Sequence, residues 1–99
     1  FGRKAVVDGP LAFDNAYSKE AAVHKGITTP VAGEVDIYMV PEITAGNILY
    51  KAFSYAAGFK TAGVVVGAQC PIVLTSRADS EDSKLNSILA ACAAVVPSA

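Results

Sequence analysis

The chain has 99 residues and a mass of 10.1 kDa, which is enough for one small domain. Apolar residues make up 53% and charged residues 17%, a balance that excludes intrinsic disorder. Two cysteines are too few for a disulfide scaffold, and a net charge of −1 excludes nucleic-acid binding through a general basic surface. So few charges cannot cover so short a chain, and we therefore expect it to self-associate or to be part of a larger protein.

The first part of the chain is predicted to contain two short strands and a helix. The strands cover residues 4–7, which a turn signal follows, and residues 36–40, which a proline ends. Between them, residues 16–25 are predicted to form a helix, and Gly26 provides its left-handed stop.

The rest of the chain is predicted to form two helices that flank two strands. The first helix covers residues 44–57, with apolar residues at three-and-four spacing, and Gly58 closes it. The strands cover residues 62–66 and 72–75, and because they lack polar alternation we expect both of their faces to be covered. The last helix is predicted over residues 80–96. Its buried stripe is expected to consist of Leu85, Ile88, Leu89, Cys92 and Val96.

The alternation of strands and helices predicts an α/β fold with a mostly parallel sheet, at least three strands and flanking helices. The longest uncharged run, residues 61–76, is too short to cross a bilayer and contains glycine and proline, so no membrane partner is expected. Cys70 and Cys92 lack CxxC spacing and are expected to be core thiols in a reducing cytoplasm. His24 and Glu20 share a helix face, where a surface pair is favoured over a metal site.

The segment with the most functional information is Thr75–Asp82, where a predicted strand ends and a helix begins. Ligands bind at such positions in open α/β sheets, and a helix start offers free N–H groups to an anion. Arg77 adds a planar guanidinium that matches phosphate or carboxylate, and Ser76 adds a hydroxyl. The alternative is structural: Ser80 caps the helix, the acidic residues after it complement the helix dipole, and Arg77 lies in a solvated salt bridge.

A second loop follows the predicted strand over residues 36–40 and leads to Gly46 and Asn47. A glycine lets a backbone or a ligand approach closely, and an asparagine side chain can bind a substrate through hydrogen bonds. The structural alternative is a helix start that begins with proline and tolerates both residues.

Three stretches of the chain carry a further signal. They are Asp8-Gly9-Pro10-Leu11-Ala12-Phe13-Asp14-Asn15-Ala16, then Val40-Pro41 leading into Ala45-Gly46-Asn47-Ile48-Leu49-Tyr50-Lys51, then Pro71-Ile72-Val73-Leu74-Thr75-Ser76-Arg77-Ala78-Asp79-Ser80 followed by Lys84-Leu85. In this order they resemble the C-terminal part of the phosphate acetyl/butyryl transferase family, and its butyryl branch most closely. The resemblance covers nearly the whole chain.

This resemblance implies an enzyme that transfers a short acyl group, butyryl or similar, between coenzyme A and inorganic phosphate to form acyl phosphate. It implies no tightly bound cofactor, no metal, a cytoplasmic location and a homo-oligomer, expected to be a dimer. The implied fold is similar to that of isocitrate and isopropylmalate dehydrogenases, in which the active site lies between two α/β domains. Residues 1–60 would belong to the second of these domains and residues 61–99 to the first. Because family members are much longer, the chain is expected to be an incomplete C-terminal piece, inactive by itself.

The resemblance also implies roles for individual residues. The family's Ser-Arg pair falls on Ser76 and Arg77, of which the arginine would bind phosphate or acyl phosphate and the serine would stabilise the transition state. A carboxylate would take the proton of the coenzyme A thiol, and Asp79 and Asp82 are the nearby candidates. The expected catalytic residues include Asp79, and the expected substrate-binding residues are Gly46, Asn47 and Ser80.

The chain departs from the acetyl branch at two places. That branch has its catalytic aspartate seven positions after the serine, where this chain has Ser83, and it has an arginine near the positions of Ser54 and Tyr55, where this chain has none. Both differences are those that the butyryl branch would show. The rival hypothesis is a non-catalytic, oligomerising α/β module that keeps the fold without the activity.

Overall fold

The computed structural model describes residues 4–95. The chain divides into two compact units between Val40 and Pro41. The boundary between residues 60 and 61 concerns the domains of longer family members and stays a prediction.

The first unit contains two short helices, α1 (Phe13–Tyr17) and α2 (Lys19–His24). The single helix predicted over residues 16–25 is therefore wrong at its start, because Ser18 has an extended backbone and its side chain accepts a hydrogen bond from the backbone N–H of Ala21. This serine begins α2 as an N-cap, which ends the preceding helix.

The end of α2 follows the prediction. Gly26 has a φ of 68° and donates its N–H to the carbonyl of Val23 at 3.0 Å, and the N–H of Ile27 reaches the carbonyl of Ala22 at 2.9 Å. These two bonds form a Schellman motif, in which glycine takes the left-handed position at no steric cost. The predicted helix stop at Gly26 is confirmed.

Small residues form the interior of the first unit. Asn15, Ala16, Ala22 and Ala32 are buried, and the Phe13 ring packs between the rings of Tyr17 and Tyr38, with centroid distances of 5.6 and 5.5 Å. The strands predicted over residues 4–7 and 36–40 are not present, since neither segment pairs with a strand in the described part of the chain. A strand needs a hydrogen-bonding neighbour, and propensity alone does not supply one.

The second unit begins with α3 (Ile43–Lys51), which continues as a π-helical turn over Ala52–Ala56. Gly58 ends it with a φ of 69°, as predicted. Two strands follow, β1 (Val64–Val65) and β2 (Ile72–Val73), and the unit closes with α4 (Glu81–Val95). The predicted last helix is confirmed over the described residues, and its expected last residue, Val96, lies outside them.

The two strands pair antiparallel, with Val64 opposite Val73 and Val65 opposite Ile72. The described residues thus form a small α/β structure with a two-stranded sheet, and the mostly parallel sheet of at least three strands is not seen in them. The reason is the connection, because residues 66–71 allow a hairpin but are fewer than the dozen or more that a parallel crossover needs.

The buried face of α4 differs from the predicted stripe. Ser87 and Ala91 are its buried residues, whereas Leu85, Ile88 and Leu89 are more than half exposed. The hydroxyl of Ser87 accepts from the N–H of Gly63 at 2.9 Å and donates to the carbonyl of Ser83 at 2.7 Å. The small side chain lets the helix approach the backbone before β1, which turns the larger apolar residues away from the sheet.

Other expected core positions are exposed as well. The helix α3 and its π turn contain no buried residue, and Val66 and Leu74 beside the strands are 88% and 73% exposed. The prediction that Cys70 and Cys92 are core thiols is wrong, because both are exposed. In each case no further layer covers the apolar face within the described part of the second unit, residues 41–95. Among residues 4–95, no helix combines the length and the apolar character needed to cross a membrane.

Candidate functional site

The loop between β2 and α4 forms a tight turn that carries three of the predicted site residues. The carbonyl of Ser76 accepts the N–H of Asp79 at 3.1 Å, and Oδ2 of Asp79 accepts the N–H of Ser76 at 2.8 Å. This reciprocal pair closes the turn from both sides. Arg77 and Ala78 occupy its two central positions.

Arg77 is exposed, and within residues 4–95 its guanidinium makes no hydrogen bond and no ion pair. The structural alternative requires a carboxylate that pairs with Arg77, and the described part of the chain provides none. An arginine fork held at the tip of a closed turn presents its five donors to solvent, and these match the geometry of a phosphate or a carboxylate.

Ser80 begins α4 as a helix cap. Its Oγ accepts the N–H of Ser83 at 3.2 Å, which is the N-cap arrangement expected from the structural alternative. Glu81 and Asp82 follow in the first turn, where carboxylates complement the helix dipole. The structure therefore gives Ser80 a capping role, and its predicted role in substrate binding stays a prediction.

The two candidate carboxylates have different surroundings. Asp79 is half-buried and uses both oxygens, since Oδ2 accepts from Ser76 and Oδ1 accepts from the hydroxyl of Tyr50 at 3.3 Å. Asp82 is exposed on the first turn of α4. The structure thus holds Asp79 in place and leaves Asp82 with more freedom.

A cavity of about 290 Å³ lies next to this turn. The π turn and the residues after it line one part of the cavity, and the turn before α4 with the start of α4 lines the rest. Its lining is polar and apolar in about equal parts and consists of Ser54, Tyr55, Gly58, Phe59, Lys60, Thr61, Ala78, Asp79, Ser80, Asp82, Ser83 and Asn86. Ser54, Tyr55 and Ser83, the positions at which the resemblance led us to expect differences from the acetyl branch, all line this cavity.

The predicted site residues are only partly brought together. Asp79 and Ser80 line the cavity, and Ser76 and Arg77 belong to the same turn but are not among its lining residues. Gly46 and Asn47 lie near the start of α3, which Glu42 caps through the N–H groups of Thr44 and Ala45, and neither lines the cavity. Their position in the first turns of α3 agrees with the structural alternative, in which both residues belong to a helix start.

Sequence reasoning missed the two tyrosines that contact the turn. Tyr50 and Tyr55 are not among the predicted site residues, but their hydroxyls bond Asp79 and the carbonyl of Ala78, at 3.3 and 3.1 Å. These contacts join residues that are 29 and 23 positions apart, so no local sequence pattern predicts them.

The chain belongs to the Phosphate acetyl/butaryl transferase family, whose sequence pattern matches residues 2–92. Among its relatives are a probable phosphate butyryltransferase of Bacillus subtilis, 58% identical over 89 residues, and the phosphate butyryltransferase of Clostridium acetobutylicum, 55% identical over 83 residues. The phosphate acetyltransferase of Thermotoga maritima is also 55% identical over 83 residues. These alignments cover 84–89% of this chain and 28–30% of the relatives.

A solved structure is similar as well. It is the branched-chain phosphotransacylase from Enterococcus faecalis V583, which aligns with a TM-score of 0.76 and 45% identity over 85% of this chain and 32% of its own. The chain thus spans under a third of the length of the relatives it matches. All four of these relatives are named as transferases of acyl groups to or from phosphate.

Proposed function

We propose that this chain carries part of the active site of a phosphate acyltransferase, which moves a short acyl group between coenzyme A and inorganic phosphate. The observation that carries the proposal is the guanidinium of Arg77, which lies at the tip of a closed turn and has no partner within residues 4–95. Membership of the family supports it, as does the similarity to named acyltransferases.

The proposed chemistry assigns a task to each group. In the direction of acyl-CoA formation, the thiol of coenzyme A loses its proton and attacks the acyl carbon of an acyl phosphate, so that a C–S bond forms and the C–O bond to phosphate breaks. Arg77 stabilises the charge on the departing phosphate, and the hydroxyl of Ser76 stabilises the charged tetrahedral intermediate. A carboxylate, Asp79 or Asp82, accepts the thiol proton. Gly46, Asn47 and Ser80 are proposed to contact the substrates.

The residues that line the cavity support the assignment of this chain to the butyryl branch of the family. By the resemblance, Ser83 and the absence of an arginine near Ser54 give this cavity fewer charges than the acetyl branch would have, although Lys60, Asp79 and Asp82 also line it. Lower charge favours a longer apolar acyl group, because burial of that group then desolvates fewer ions. We therefore propose butyryl or a similar short acyl group as the substrate.

The placement of the chain within a larger enzyme is also a proposal. Its share of the relatives' length supports an incomplete portion, and the order of its motifs supports the C-terminal one. On this view residues 1–60 and 61–99 contribute to two different domains of a fold like that of isocitrate dehydrogenase. A cytoplasmic location remains part of the proposal, from the family resemblance and the free thiols. The exposed apolar residues support a homodimer, or burial of this portion by the rest of its chain. The same residues favour the second candidate, a non-catalytic oligomerising module.

Substitution of Arg77 in the full-length protein tests the proposed function. Arg77→Ala should lower kcat/KM for phosphate by about 100- to 1,000-fold, which corresponds to about 2.7–4 kcal/mol of transition-state stabilisation. Arg77→Lys should restore little of it, because a point charge does not replace the planar fork. Ser76→Ala should cost less than Arg77→Ala, since a hydroxyl carries no full charge.

The control is Lys4→Ala, which removes an exposed cation from an irregular segment of the first unit and should leave the rate unchanged. If Arg77→Ala retains normal activity and phosphate affinity, the guanidinium is a surface charge and the proposed site is wrong. If the full-length protein has no acyltransferase activity at all, the oligomerising module is the better description.

A further inference from the structure

Two tyrosines from a single helical segment anchor the turn that carries Ser76 and Arg77. The hydroxyl of Tyr50 donates to Oδ1 of Asp79 at 3.3 Å, and the hydroxyl of Tyr55 donates to the carbonyl of Ala78 at 3.1 Å. Both acceptors lie within three residues of Ser76. The turn is therefore held from the side of α3 as well as by its own hydrogen bonds.

The π turn over Ala52–Ala56 explains how both tyrosines reach the same turn. In a regular α-helix, residues five apart point in directions about 140° apart, so that only one of them would face the loop. The N–H of Ala57 donates to the carbonyl of Ala52 at 3.0 Å, which is the i→i+5 bond of a π turn. The π turn begins after Tyr50 and includes Tyr55, and its wider winding turns the chain less per residue. The side chains of the two tyrosines therefore point in more similar directions.

The hydrogen-bond donors around Asp79 can be assigned one by one. A carboxylate accepts only, so Tyr50 uses its single proton on Asp79. Thr61, whose Oγ1 lies 3.3 Å from the oxygen of Tyr50, must then donate to Tyr50, and Ser83, at 3.1 Å from Thr61, must donate to Thr61.

The order of donation follows from this assignment. Ser80 donates to Ser83 at 3.1 Å, which completes a chain of hydroxyls that runs from Ser80 through Ser83, Thr61 and Tyr50 to Asp79. Each hydroxyl donates to the next, and the last of them, on Tyr50, donates to Oδ1 of Asp79. Oδ2 of Asp79 accepts the N–H of Ser76.

We propose that Tyr50 is a positioning residue, which acts through Asp79 to hold Ser76 and Arg77 in their working geometry, and that Asp79 anchors the turn and is not the base for the thiol. This inference rests on the proposed function, since it assumes that the Ser76-Arg77 turn binds the reacting groups. Each oxygen of Asp79 accepts a hydrogen bond that ties the turn in place, and moving the carboxylate to meet a thiol would loosen the turn. The proton transfer is therefore assigned to another group.

Kinetics of substituted full-length protein separate an anchor from a base. Asp79→Asn keeps an oxygen for the N–H of Ser76 and an amide that can donate to Tyr50, so it should retain kcat/KM within about 10-fold, with the pH–rate profile unchanged in shape. Asp79→Ala should lose about 100-fold, and Tyr50→Phe about 10- to 100-fold, as expected for a lost hydrogen bond to a charged group. Tyr17→Phe is the control, because the hydroxyl of Tyr17 bonds no group among residues 4–95 and should have no effect.

The opposite kinetic pattern would overturn the proposal. If Asp79 is the base, Asp79→Asn will be as inactive as Asp79→Ala, and the acidic limb of the pH–rate profile will disappear in both. Tyr50→Phe with unchanged kinetics would likewise contradict a positioning role.

Hydrogen–deuterium exchange gives a measurement that does not depend on activity. Peptides that contain residues 74–79 should exchange faster in Asp79→Ala and Tyr50→Phe than in the unsubstituted protein, while peptides from the middle of α4 should be unchanged. Equal exchange at the turn would overturn the anchor whatever the activity. If the unsubstituted protein has no acyltransferase activity, the proposed function is wrong. Faster exchange of residues 74–79 in the two variants would still show that Tyr50 and Asp79 anchor the turn.

Discussion

Two glycines of the first unit share a left-handed backbone and differ in their surroundings. The φ of Gly26 is 68° and that of Gly33 is 74°. A side chain at Gly26 would meet no atom within 4 Å, whereas a Cβ at Gly33 would lie 2.5 Å from the backbone nitrogen of Lys19. Position 33 therefore requires glycine both for its conformation and for its space.

Gly33→Ala should lower the free energy of unfolding by about 2–5 kcal/mol. The strain of a left-handed backbone contributes about 1–2 kcal/mol, and overpacking against the fixed backbone of Lys19 adds about 1–3 kcal/mol. Gly26→Ala is the matched control and should cost about 1–2 kcal/mol, from strain alone. Denaturant titration of both variants measures the difference, and equal losses would contradict the close contact between Gly33 and Lys19.

At the scale of elements, the start of α3 depends on one carboxylate. Glu42 accepts the N–H of Thr44 at 2.8 Å and the N–H of Ala45 at 2.6 Å. These backbone hydrogen bonds, that from Thr44 first, hold the pKa of Glu42 below its ordinary value of 4.5. Because they favour the ionised carboxyl, the start of the helix is tied to the charge of this residue.

The contribution of Glu42 should be present above pH 4.5 and should be lost as the pH falls through its lower pKa in the folded state. Amide exchange of residues 43–46, measured between pH 7 and pH 3, should show the first turn of α3 opening at the acidic end. Glu42→Gln should remove this pH dependence, because its side chain does not titrate over the range. A variant that keeps the same dependence would show that another group controls the helix start.

At the scale of the whole molecule, large apolar side chains remain exposed on several elements. Ile48 of α3 is 66% exposed, and Leu85, Ile88 and Leu89 of α4 are each more than half exposed. The buried hydrophobic residues of the described chain are alanines. Alanine supplies little transfer free energy, so burial of the larger residues requires a further surface.

The 99-residue chain by itself should therefore not be a stable monomer. We expect sedimentation to show dimers or larger species, driven by the apolar face of α4. Leu89→Lys should shift the distribution toward smaller species, whereas Lys84→Arg on the same helix should leave it unchanged. A folded monomer of 10.1 kDa at high concentration would contradict this prediction.

Several features were predictable because they depend on neighbours in the sequence. The stops at Gly26 and Gly58 follow from the left-handed backbone that glycine tolerates, and the cap at Ser80 follows from a hydroxyl placed three residues before a free N–H. The pair of His24 and Glu20, at 3.7 Å, follows from their spacing of four on a helix. The three stretches within residues 8–16, 40–51 and 71–85 indicated the family by their order along the chain, which no packing alters.

The tertiary structure decided what depends on residues that are distant in the sequence. It paired β1 and β2 antiparallel, turned Ser87 in place of Leu85 and Ile88 toward the backbone of Gly63, and joined Tyr50 to Asp79 across 29 positions. Periodicity marks which residues are apolar but not which surface is present to cover them, and a tyrosine hydroxyl finds its acceptor only after the chain has folded. The sequence by itself therefore determined the helix stops at Gly26 and Gly58, the motifs and the family, whereas packing between distant segments determined the buried faces and the anchoring of the turn.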